Sequence, residues 1–214
     1  MSARENTLDR IRAALGKSPD RVEREEINAH IRQHAAGPGP QAEWNLVTRF
    51  RERALNLASS VDEVASIGEM PKAVARYLRE QNLPLQAVCW PEFARLEWTA
   101  QGMTVDVRPA KGNDLVGITG AFCAIAETGT LVMLSGKDSP SATSLLPETH
   151  IAVVRSTRIV KGMEEAWVLL RSEHSTMPRA VNFISGPSRT ADIEQTIVLG
   201  AHGPYRVHIV LVRQ

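Results

Sequence analysis

The chain has 214 residues, 43% hydrophobic and 23% charged, with a formal net charge of +1. That length buries one substantial core with a modest appendage, and so small a net charge excludes broad attraction to nucleic acid or anionic membrane. No apolar run reaches the ~20 residues that cross a bilayer, and the opening MSARENTLDRIRAALG lacks the apolar core of a secretory signal, so a cytoplasmic protein is expected.

Residues 2–15 place Leu8, Ile11, Ala14 and Leu15 at helical spacing among charges, which predicts a short amphipathic helix ended by Gly16. A second charged helix is expected over 20–34, and Gly37-Pro38-Gly39-Pro40 breaks the pattern as a linker. Residues 1–38 therefore read as a helical arm and 41–214 as the main domain. Trp44, Val47, Phe50, Ala54 and Leu57 predict a longer helix over 41–57 with one buried face. A further helix over 69–81 tolerates Pro71 in its first turn and turns Val74, Tyr77 and Leu78 inward.

Strands are expected over 85–90, 104–107, 130–134, 151–154, 181–184 and 205–212, and a helix over 160–170 with Met163, Ala166, Trp167 and Leu170 facing in. Short apolar strands alternating with helices predict an α/β fold: a three-layer α/β/α domain with a mostly parallel sheet. Ligands of such sheets collect at the carboxyl ends of the strands. That rule favours the loops 135–144 and 185–190 and demotes His150, expected just before its strand.

Two stretches concentrate the chemistry. In GITGAFCAIAETGTLVMLS, residues 117–135, small side chains lead into Glu127, after which Thr128-Gly129-Thr130 can form a tight turn with Gly129 supplying the positive φ. Glu127 serves there as an acid/base or nucleophile, or only caps nearby amides. In Ser185-Gly186-Pro187-Ser188-Arg189-Thr190-Ala191-Asp192-Ile193-Glu194, a turn at Gly186-Pro187 is expected to precede a short helix from about Ala191, capped by Ser188 or Thr190. Its free amides and Arg189 would hold a phosphate or carboxylate, while Asp192 and Glu194 suit the helix dipole; anion binding and plain capping both remain open. His202, between Gly200 and Gly203, is a candidate acid/base, and His208 in the last strand reads as structural.

No GxGxxG, P-loop or Ser-His-Asp pattern occurs, and Glu127, Asp192 and His202 lack any recognised metal-ligand spacing. The two cysteines, Cys89 and Cys123, stand far apart without CxxC or Cys/His spacing, which encodes neither a disulfide framework nor an iron-sulfur or zinc site.

AIAETGTLVMLSG, LLPETHIAVV, ISGPSRTADIEQTIVLGAHGP and the terminal VHIVLV closely resemble the lactate utilization protein C family, or LUD domain, from about residue 85 onward. The resemblance implies a fold like that of ribose-phosphate isomerases, glucosamine-phosphate isomerases and coenzyme A transferases. It implies a cytoplasmic subunit of a system oxidising L-lactate to pyruvate, acting with iron-sulfur partner proteins that carry the clusters this chain cannot hold. It marks Glu127, Thr128, Gly129, Pro147, His150, Gly186, Pro187, Ser188, Arg189, Thr190, Asp192, Glu194, Gly200, His202, Gly203 and Pro204. From these, Glu127, Asp192 and His202 are the catalytic candidates, and Thr128, Gly129, Gly186, Ser188, Arg189 and Thr190 the candidates for binding a small anion, with no metal. The alternative is a stand-alone isomerase or transferase acting on a phosphorylated or coenzyme A-linked substrate, with Glu127 as base or nucleophile.

Overall fold

The computed structural model describes residues 3–16, 21–35, 37, 39, 43–193 and 196–213, so Pro38 and Pro40 of the expected linker and Glu194 lie outside the described residues. The chain divides into two compact units, Met1–Pro40 and Gln41–Gln214. The first contains α1 (Ala3–Leu15) and α2 (Arg21–Gln33). Gly16 closes α1 at φ +62°, and no residue of α1 is buried.

The second unit opens with α3 (Leu46–Asn56), five residues later than periodicity suggested, because the Asn45 side chain accepts the Thr48 N–H and fixes the start. Then follow β1 (Ser60–Val64), α4 (Met70–Glu80), β2 (Gln86–Cys89), β3 (Thr104–Val107), β4 (Val116–Gly120), β5 (Cys123–Ile125) and β6 (Thr130–Leu134). The rest comprises α5 (Ala142–Leu145), β7 (Thr149–Arg155), β8 (Ile159–Val160), α6 (Met163–Glu173), β9 (Val181–Ile184), β10 (Arg189–Ile193), β11 (Thr196–Leu199) and β12 (Arg206–Val212).

Six strands form the central sheet in the order β1-β12-β7-β4-β2-β3, every pair parallel. Its interior strands are mostly apolar on both faces, as burial on both sides favours, with Thr119, His150 and His208 among the buried polar exceptions. Register puts His208, Ile151 and Ile118 on one face, where Tyr77 of α4 stacks on His208. Gly117 lies on the other face, where a Cβ would strike the Thr143 carbonyl of α5, so glycine is needed for α5 to seat. The α/β/α architecture with a mostly parallel sheet is thus present.

The structure also departs from expectation. β6 and β9 belong to a second sheet, order β8-β5-β6-β9, in which β6 is antiparallel to both neighbours. Ala124, Ala126, Leu131 and Met133 join the main core, while Cys123, Ile125 and Val132 pack with Ala166 of α6 in a smaller one. The small-residue stretch is therefore two strands, β4 and β5. β1 carries Asp62 and Glu63 and shows no apolar run, so periodicity passes over it; it is an edge strand held by β12. α6 buries Ala166 and Leu170, half-buries Trp167 against Phe183, and leaves Met163 exposed, because the helix begins only at Met163, where the Gly162 N–H donates to Glu165 Oε2.

Candidate functional site

Both glycine bends land on the carboxyl end of α3. Gly129 has φ +70°, donates its N–H to Ile125 O at 2.9 Å, and lies so close to α3 that a Cβ would come within 2.6 Å of Ala54 N. Gly186 has φ +82°, and a Cβ there would collide with the Leu57 carbonyl. Because β6 and β9 are antiparallel with Leu131 opposite Ile184, Thr130 and Ser185 face one another. A chain of hydroxyls joins the bends: Thr128 Oγ1 to Thr130 Oγ1 at 2.7 Å, and Thr130 Oγ1 to Ser185 Oγ at 2.7 Å. Arg189 is exposed and its Nη2 donates to Leu57 O at 3.4 Å. Glu127 is half-buried on the outer side of its bend, where its N–H donates to Lys161 O and its carboxylate lies against Gly162.

The remaining expected site residues are placed differently. Among the described residues no helix begins near Ala191: β10 and β11 form an antiparallel two-stranded ribbon, because their β-branched residues favour strands over a helix. Among the described residues Ser188 and Thr190 cap no helix, and no helix amino terminus stands there to hold an anion. Ser188 instead fastens the ribbon base, donating its N–H to Pro204 O at 2.9 Å and accepting from Gly200 N–H at 3.0 Å. Asp192 lies in β10, and His202 is exposed in the turn before β12. Among the described residues, no hydrogen bond or ion pair joins Glu127 to Arg189 or to His202.

The carboxyl-end rule does not apply to the loops 135–144 and 185–190, which follow β6 and β9 of the second sheet rather than strands of the parallel one. His150 is inside β7 rather than before it. It is fully buried, its Nε2 lies 2.7 Å from Thr119 Oγ1, and burial pushes its pKa down to about 4. The adjacent strands β2 and β4 continue to opposite sides of the sheet, and beyond their carboxyl ends Glu92 lies against Gly120, with burial pushing its carboxyl pKa up and the Arg155 charge opposing that.

A cavity of about 440 Å³ opens beside Leu57–Ala58 at the amino ends of β1 and β12, lined by Ser59, Ser60, Tyr77, Pro187 and Arg206 among others. Pro187 makes it continuous with the second bend. Ser60 Oγ is 2.8 Å from His208 Nδ1, and His208 Nε2 is 3.6 Å from Asp62 Oδ2. Asp62 is held in turn by Arg76 at 2.6 Å. His208 and then Arg76 keep the Asp62 carboxyl below the usual range. The Tyr77 ring stacks on the His208 ring at 3.8 Å and 10°. Sequence reading missed this group because Ser60 and His208 are 148 positions apart; the one available signal was Ser60 and Asp62 at strand spacing.

A family model for the LUD domain matches residues 91–212. The chain belongs to the LUD domain family. This LUD chain is 40% identical over 119 residues to lactate utilization protein C of Bacillus subtilis (strain 168), covering 54% of this chain and 49% of that protein. It thus spans about half the length of that relative. Against lactate utilization protein C of Bacillus velezensis it is 28% identical over 234 residues, covering 97% of this chain and 95% of that protein. Among solved structures, a DUF162 family protein from Deinococcus radiodurans superposes with TM-score 0.59 at 24% identity, covering 81% of this chain and all of that one, and shares the fold. The matched region contains both glycine bends and β12, but α3, β1 and α4 precede it.

Proposed function

We propose that this LUD chain is a component of a lactate utilization system, working alongside iron-sulfur partner proteins in the oxidation of L-lactate to pyruvate. In this reading the surface around the two bends takes a small carboxylate. The observation that carries the reading is the meeting of the bends on α3: Thr128, Thr130 and Ser185 form a chain of hydroxyls, and the exposed Arg189 donates to Leu57 O, the carbonyl that Gly186 also approaches. A planar guanidinium together with hydroxyl donors matches a carboxylate. Glu127 at the rim supplies a proton acceptor.

The names of the relatives support the pathway. The cysteines support the division of labour: Cys89 and Cys123 are buried, and burial pushes both thiols up to about 11, so neither offers a thiolate near neutral pH. A cluster needs about four thiolates, and these belong to partners in this reading.

Deleting the gene in its native host tests the proposal. Growth on L-lactate should stop while growth on glucose continues. The wild-type gene should restore it, and an Arg189→Ala gene, checked for equal protein level, should not. Lactate growth unaffected by the deletion overturns the reading.

A further inference from the structure

The cavity beside β1 and β12 contains an arrangement that lactate chemistry leaves unused. We propose that Ser60 is a base-activated nucleophile that accepts the acyl group of a small, negatively charged ester or thioester. Strand geometry builds the array. Ser60 and Asp62 are two residues apart on β1 and so share a face, and the parallel register sets His208 of β12 directly beside Ser60. His208 is 1% exposed and stacked under Tyr77, which fixes its ring, whereas Ser60 is exposed and lines the cavity.

The charges choose the tautomer. The Asp62 carboxylate, 3.6 Å from Nε2, favours the ring proton on that nitrogen. Nδ1 is then an acceptor, and the 2.8 Å contact is a Ser60 O–H donating to it. That leaves an Oγ lone pair for attack, in the nucleophile, base and orienting-group relation of activated serines. Ser59 Oγ and Arg206 Nη1 are buried without a partner among residues lining this cavity, the pattern left when a ligand supplies the acceptor. Arg206 sets the preference for an anionic substrate.

As Ser60 Oγ bonds to the acyl carbon, its proton passes to His208 Nδ1 and the imidazolium is stabilised by Asp62. The C–O or C–S bond breaks, and the leaving alkoxide or thiolate takes the proton from Nδ1. Water then attacks the acyl-Ser60 ester, giving one proton to Nδ1, from which Ser60 recovers it as the carboxylic acid leaves.

The full chain treated with a fluorophosphonate probe and analysed by intact mass and peptide mapping tests this. One adduct is expected, on Ser60, absent in Ser60→Ala and formed at least tenfold more slowly in His208→Gln. Where His208→Gln fails to fold by circular dichroism, Asp62→Asn serves: it should slow labelling tenfold and move the midpoint of its pH dependence downward. The groups facing His208 are Ser60 and Asp62 from β1, Arg76 and Tyr77 from α4, and Arg206 from β12, so only the Asp62 change removes its counter-charge. The 4-nitrophenyl half-ester of succinate should turn over at least tenfold faster than 4-nitrophenyl acetate, an advantage lost in Arg206→Gln. No adduct on Ser60 under conditions that fully label trypsin, or labelling undiminished in Asp62→Asn, overturns the proposal; equal turnover of the two esters overturns the role of Arg206.

Discussion

His150 shows how burial acts on a single residue. Its pKa is pushed down to about 4 by burial, against 6.5 when free in an unfolded chain. Between these values the unfolded chain takes up a proton that the folded one refuses, so stability is full above pH 6.5 and falls as the pH drops toward 4. At 1.36 kcal/mol per unit the loss is about 3 kcal/mol. Asp62, whose carboxyl is held below 3.8, loses its contribution at still lower pH and does not enter this window. Glu92, its carboxyl pushed up by burial, works in the opposite sense and offsets part of that loss, so urea denaturation at pH 7.5 and pH 4.5 should show a smaller fall for His150→Gln than for the unchanged chain. Sequence reading identified His150 by resemblance but placed it before its strand, since a polar residue at an apolar strand's edge gives no sign that the strand continues through it.

Elements were legible where periodicity was strong. α4, β3, β6 and β9 fall where their spacing predicts, while β1, β4 and β5 do not, because charges disguise the first, glycines the second, and the third has only three residues. Whether a strand is parallel or antiparallel cannot be read from its own residues, so nothing in β6 or β9 alone shows that they form a second sheet apart from the parallel one. The glycine turn at Gly129 was legible; its seat on α3 was not. Gly129→Ala should cost about 2 kcal/mol, from a positive φ and the 2.6 Å approach to Ala54 N. Thermal denaturation should show a fall in Tm of about 4–8 °C. Gly112→Ala, with φ outside the left-handed region and nothing within 4 Å of the added Cβ, serves as the control.

For the whole molecule, the compact units Met1–Pro40 and Gln41–Gln214 suggest where the chain can be cut. α1 buries nothing, and Ile27 and Ile31 of α2 are 57% and 60% exposed. We expect the chain without residues 1–40 to keep the circular dichroism of the α/β unit and a Tm within about 2 °C of the full chain. A larger fall would mean that the helices contribute to the core. The fold class was legible from the alternation of elements, and the cavity at β1 and β12 was not, since its walls come from opposite ends of the chain.

Both outer strands of the central sheet are armoured with charge. On β1, Asp62 pairs with Arg76 and Glu63 with Arg51 and Arg213; on β3, Asp106 pairs with Arg108. A foreign strand adding to either rim would have to strip water from these ions, a cost that discourages aggregation. Charge at both rims thus works against any strand that would extend the sheet.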